Sequence, residues 1–282
     1  MRRLLQWTGI ALGVLAGLLV VAYAILYVRS ERVIQRAYAI PQVSISIPAD
    51  PESIAEGKRL AIVRGCFNGC HGKEAQGAVM FDEPMVARIV APNLTAAARK
   101  YGDAELVNII RNGVRPDGRS MVIMPSEVFV ELNDADLGRI IAFLKNLPPA
   151  PGPSADVSLG PGGRAGLGIG KFNTAAGLIA EAVPPPDATN EQASYGRYLA
   201  RTACAGCHGT NLRGMSAPDP SPDLRVVAAY SAEAFAELIR TGVPLGGRKL
   251  RMMREVARDN LSSLTDAEIA ALYTYLHALP PP

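Results

Sequence analysis

The chain has 282 residues, room for about two domains of ordinary size. Its apolar fraction of 49% permits packed cores, while 6% aromatic content and 29 basic against 26 acidic side chains exclude a polyanion-binding surface as the main theme. Two of the basic residues, Arg2 and Arg3, precede a long apolar stretch, so the body beyond it is close to neutral.

That stretch, Leu4 to Val28, is broken only by Gln6 and Thr8. Trp7 to Val28 alone is 22 residues, or roughly 33 Å of helix, enough to cross a bilayer. Trp7, Tyr23 and Tyr27 stand near its ends, where amphipathic rings settle. Ala22-Tyr23-Ala24 imitates a signal-peptide cleavage site, but the apolar run is too long for a signal core and continues past that site. Residues 1–30 are therefore expected to form a transmembrane anchor. Arg2 and Arg3 on one side and Arg29, Arg32 and Arg36 on the other leave its orientation undecided by charge.

Beyond the anchor the sequence repeats itself. In the first copy, residues 31–149, Gly57-Lys58-Arg59-Leu60 precedes a CFNGCH cluster, Cys66 to His71. YGDAELVNIIRNGV and NDADLGRIIAFLKNLPP follow. In the second, residues 190–282, Gly196-Arg197-Tyr198-Leu199 precedes CAGCH, Cys204 to His208, then YSAEAFAELIRTGV and TDAEIAALYTYLHALPP. Gly113 and Gly242 end matching amphipathic helices. Asn133 and Thr265 cap the closing pair, with Asp136 and Glu268 three residues on and prolines as stops. Their apolar stripes are Leu137, Ile140, Ile141, Leu144 and Leu147, and Ile269, Leu272, Tyr273, Leu276 and Leu279. Between the copies, residues 150–189 have the proline and glycine content of a semi-rigid linker. The glycines at 160–170 follow no predicted strand, so they are not read as a dinucleotide loop.

All four cysteines and two of the three histidines fall in the two clusters. CAGCH has the C-x-x-C-H pattern of c-type haem attachment: two thiols on one turn reach two vinyl groups, and the next histidine lies under the iron. CFNGCH carries one residue more between its cysteines. It is expected to hold haem as well, the extra residue forming a bulge that Gly69 can accommodate; the opposing reading is a copy that has lost haem or keeps one thioether. Methionine is the usual sixth ligand of electron carriers. Met124 and Met253 each lie six residues after a matching glycine, Gly118 and Gly247, with Met121 and Met252 in reserve. Pro92 and Pro222 also correspond, and the carbonyl of either can take the second ring N–H of a ligating histidine. His277, off its helix's apolar stripe, reads as solvated.

These residues resemble class I cytochromes c, in particular bacterial membrane-bound di-haem members, over about residues 51–149 and 190–280. The resemblance implies an all-α fold with the first helix of each domain crossing its last, and Gly57 and Gly196 permitting the approach. It implies two covalent haem c groups held by Cys66, Cys70, Cys204 and Cys207, with His71/Met124 and His208/Met253 as axial pairs. It further implies an electron carrier with no bond chemistry of its own, single-pass in the bacterial cytoplasmic membrane with its domains in the periplasm. Redox partners would be a dehydrogenase, a quinol-oxidising complex or a terminal oxidase, and no nucleic acid. Rival readings are a di-haem peroxidase, which needs one iron with an open ligand position, a cytochrome subunit of a membrane-bound dehydrogenase, and a haem-free module with disulfides or zinc.

Overall fold

The computed structural model describes residues 1–216 and 220–280; Pro281, the last residue of the second closing repeat, lies outside them. Helix α1 (Arg2–Ile34) is continuous, and Ser30 is its one buried residue. The most apolar window of α1 is wholly exposed.

In the first domain, α2 (Pro51–Val63) starts where the Asp50 carboxylate accepts the Ser53 N–H and Pro51 takes the first turn, a position that needs no donor. After the cysteine cluster come β1 (Ala78–Glu83) and β2 (Ala87–Ala91), then α3 (Leu94–Lys100), capped by the Asn93 side chain. Helix α4 (Asp103–Val107) widens into a π-turn at Asn108–Asn112 and stops at Gly113, left-handed with φ 62°. The short α5 (Ser126–Phe129) leads to α6 (Asp134–Asn146), whose expected stripe is buried apart from half-buried Leu147.

The stretch expected to be a linker is folded. Strand β3 (Asp156–Leu159) pairs antiparallel with β2, completing a sheet of order β1-β2-β3. Helix α7 (Pro161–Gly168) lies against α1, and α8 (Ala175–Glu181) docks on the first domain: the Ala175 N–H donates to the Met121 carbonyl and the Ala176 N–H to Ser120 Oγ. The sheet is an addition to the all-α expectation. Contrary to the sequence reading, the glycines at 160–170 do follow a strand, but an antiparallel one at a sheet edge, so no parallel βαβ unit forms.

The second domain repeats the helical frame. Helix α9 (Glu191–Leu199) passes through a π-turn, Ala200–Cys204, into α10 (Ala205–His208). A 3₁₀ segment, Leu224–Ala229, precedes α11 (Ala232–Thr241), which stops at left-handed Gly242, φ 74°. Then follow α12 (Met252–Asp259) and α13 (Asp266–His277), the latter opened by a full capping box of Thr265 and Glu268.

The same crossing organises both domains. A Cβ on Gly57 would collide with the Arg139 carbonyl oxygen in α6, and one on Gly196 with that of Ala271 in α13, and these two partners are equivalent in the repeat. Only glycine lets the helix axes come this close. The apolar faces of both domains join in a single core, from Leu60, Leu137 and Ile141 to Leu199, Leu272 and Leu276.

Candidate metal centres

In the second domain Cys204 and Cys207 lie three residues apart at the junction into α10, and left-handed Gly209, φ 78°, ends the turn directly after His208. His208 is buried, and its Nδ1 lies 2.8 Å from the Pro222 carbonyl oxygen. The first domain reaches the same arrangement by a different turn. Gly65, left-handed with φ 72°, separates α2 from a π-helical turn, Cys66–His71, and Gly72 with φ 77° closes it. A π-turn bonds i to i+5 and takes about one residue more than an α-turn. Cys66 and Cys70, four apart, are thus brought one turn apart, as Cys204 and Cys207 are. His71 Nδ1 lies 2.8 Å from the Pro92 carbonyl oxygen. The extra residue is therefore absorbed, but not by a glycine bulge: Gly69 keeps ordinary φ and has open space about it, while Gly65 and Gly72 carry the left-handed conformations.

A carbonyl can only accept, so Nδ1 carries the proton in both rings and Nε2 is left with its lone pair. Burial pulls both histidines below the usual imidazole range, partly offset by the proline carbonyls, which keeps the rings neutral at neutral pH. Burial pushes the Cys66 and Cys204 thiols up to about 12, and Cys70 is raised by burial first and then by neighbouring Cys207. No disulfide links the four cysteines, and among the described residues no group of three or more His, Cys, Asp and Glu converges as a metal cluster.

Met124, at the entry of α5, and Met253, in the first turn of α12, are half-buried and pack on the core. Met252 is 49% exposed. Met121 is held mainly by its backbone, its N–H donating 2.7 Å to the Gly113 carbonyl. His277 is exposed beside Tyr273, in agreement with its reading as solvated.

The two cysteine turns face each other across the domain boundary, which no motif announced. Arg59 on α2 makes a two-pronged pair with Glu268 on α13, at 2.7 and 2.9 Å. At the equivalent place in the other domain, the Tyr198 hydroxyl donates 2.6 Å to Asp136, which also takes Arg64 at 3.1 Å. The same two positions thus meet twice, as in a two-fold contact between like subunits. Asn68, between the two cysteines of CFNGCH, donates 3.0 Å to the Asp259 carbonyl and 3.3 Å to Asn260 Oδ1. Buried Arg201 pairs with Glu131 at 2.8 Å. The Nε groups of Arg64 and Arg201, close before the two cysteine turns, are buried with no hydrogen-bond partner. The insertion itself was the one sequence signal that something differs here.

Two short helical domains, each with a thiol pair and a histidine on one turn, define a cytochrome c scaffold. The cytochrome c family profile matches residues 54–148 and 193–280, and the chain belongs to that family. Among curated proteins, the fructose dehydrogenase cytochrome subunit of Gluconobacter japonicus is 26% identical over 258 residues, 81% of this chain and 53% of that subunit. The chain thus spans about half the length of this relative.

Proposed function

We propose that the chain is a membrane-anchored di-haem cytochrome c that carries electrons for a membrane-bound dehydrogenase. One observation supports two centres above all: both histidines, despite unlike cysteine spacings, present the same protonated Nδ1 to a proline carbonyl at 2.8 Å. Neutral imidazole with Nε2 free is the iron-binding form. Cys66 and Cys70, and Cys204 and Cys207, would hold the two porphyrin edges. His71 and Met124 would supply the protein ligands of one iron, and His208 and Met253 those of the other. Haem c supplies a one-electron Fe(II)/Fe(III) couple when bound. The chain's own residues hold and tune: the carbonyls of Pro92 and Pro222 fix each histidine's tautomer and strengthen its donor nitrogen, and the methionines close each centre against water. The partnerless Nε donors of Arg64 and Arg201 suit the carboxylates of a porphyrin.

A methionine packed on the core in each domain favours electron carriage over a peroxidase, which needs an open iron position. The relative named above is a dehydrogenase's cytochrome subunit, which supports a dehydrogenase as electron donor. Helix α1 is the candidate anchor, with both domains in the periplasm where haem is attached. A pyridine haemochrome assay and mass spectrometry of the purified full chain test the reading. Two covalent haems per chain are expected; one haem refutes the first site, and a colourless product refutes both.

A further inference from the structure

Helix α1 carries the apolar span, and its contacts begin abruptly. Residues 1–25 are exposed all round, and coverage starts at Leu26 and recurs at Ser30, Val33 and Ile34, one face of the helix. What covers that face is α7. A Cβ on Gly168 would sit 2.7 Å from the Leu26 carbonyl oxygen. Arg164 donates 2.8 Å to Glu31 and 3.3 Å to buried Ser30, and its guanidinium lies 4.1 Å from the Tyr27 ring centroid. Arg164 thus meets residues 27–31 and Gly168 meets Leu26, so α7 runs antiparallel to α1 and its C-terminal end points toward the bilayer.

Leu26 lies two residues inside Val28, the last apolar residue before Arg29, or about 3 Å below the edge of the apolar span at 1.5 Å per residue. Ile169 and Gly170, the tip of the turn, are therefore at or below that edge before the chain folds back, the Lys171 N–H donating 2.8 Å to the Gly166 carbonyl. Its next residue is Ile169, 63% exposed, followed by Gly170, exposed Lys171 and Phe172, which packs over Gly166. At the same level α1 shows Tyr23, Ile25 and Tyr27, all exposed. An apolar tip followed by a lysine, beside an aromatic belt, is the composition of an element lying in a headgroup boundary.

We propose that the turn closing α7, Ile169 to Phe172, is a second membrane contact, seated in the phospholipid headgroup boundary beside α1. Its partner is the bilayer surface, with Ile169 among the upper acyl chains and Lys171 toward headgroup phosphate. Because the other end of α7 is tied by backbone bonds to the β1–β2 hairpin, Gly160 N–H to Val86 and Gly162 N–H to Met85, this contact would hold the first domain at one height and tilt. The proposal rests on reading α1 as a membrane span.

The test places a small photoreactive diazirine side chain, one at a time, at Leu15, Ile169 and Val226 of the full haem-loaded chain in phosphatidylethanolamine/phosphatidylglycerol nanodiscs. Lipid adducts are counted by mass spectrometry. Val226, in the second domain and 47% exposed, is the aqueous reference. Adducts at Leu15 and at Ile169, both several-fold above Val226, are expected. Adducts at Leu15 with Ile169 no higher than Val226 overturn the second contact and leave the span standing. Their absence at Leu15 overturns the span and the contact with it. Gly168→Leu, which forces α7 off the Leu26 carbonyl, should lower the Ile169 yield several-fold and leave Leu15 unchanged; an unchanged Ile169 yield would overturn the role given to α7.

Discussion

The two domains reach one geometry by different routes. The second holds its thiols three residues apart in a short turn with little added to the helical frame. The first spends four residues on the same span, opens its turn to π geometry, and bears a hairpin, a third strand and α8 that have no counterpart among the described residues of its twin. Yet the histidine-to-proline bond is 2.8 Å in both. What is held constant is the orientation of the ring; the thiol spacing is free to vary as long as the turn widens with it.

The largest test of this comparison is His208→Ala against His71→Ala. Each should remove one centre's share of the Soret absorbance, and the survivor's spectrum reports the other centre alone; a variant with both shares intact breaks the assignment. Met124→Ala and Met253→Ala should each lower one potential by on the order of 0.1–0.2 V, a part of the roughly 0.8 V that axial ligands command. Spectroelectrochemistry reads this, and unaltered potentials in both would point to Met121 and Met252.

Next come the interdomain contacts. Glu268 is held below the usual carboxylate range, since the Arg59, Tyr195 and Thr265 hydrogen bonds outweigh the burial that raises it. A depressed carboxylate stabilises fully above its unfolded value, near 4.5, and loses that contribution as pH falls through the lower folded value. Glu268→Ala should cost about 1–2 kcal/mol at neutral pH, because half-buried Arg59 loses one of its two acids while keeping Glu56 at 2.6 Å, and should flatten the loss of stability below pH 4.5. Urea unfolding at two pH values decides it. Gly57→Ala and Gly196→Ala should each cost about 1–3 kcal/mol by forcing the crossing helices apart, read as a fall in Tm. If only one of the pair is destabilised, the two crossings are not equivalent. Deleting Asn68 is the mildest change. It makes the first motif C-x-x-C-H, should leave haem attached, and removes contacts worth about 1 kcal/mol. A loss of haem on deletion would show that the π-turn is required rather than tolerated.

Much of this was legible in the residues. The repeat, the caps at Asn133 and Thr265, the glycine stops at Gly113 and Gly242 and the apolar stripes are local patterns, because each is set by interactions within a few residues of the chain. The proline carbonyls were visible as candidates, since Pro92 and Pro222 recur at matching places. The small sheet was not. Its strands are short, β3 comes from a proline- and glycine-rich stretch that reads as linker, and it exists only because β2 offers it an edge 66 to 72 residues back along the chain.

Sequence alone determined that the body is two copies of a helical domain, each with thiols, histidine and methionine in the order a cytochrome c requires, behind a helix long enough to cross a membrane. Only the tertiary structure decided that the two cysteine turns face each other, that Arg59 meets Glu268 and Tyr198 meets Asp136, and that α7 is clamped to α1. Those contacts join residues up to 209 positions apart. Their partners are chosen by shape and burial after the helices have packed, and no local pattern encodes that choice.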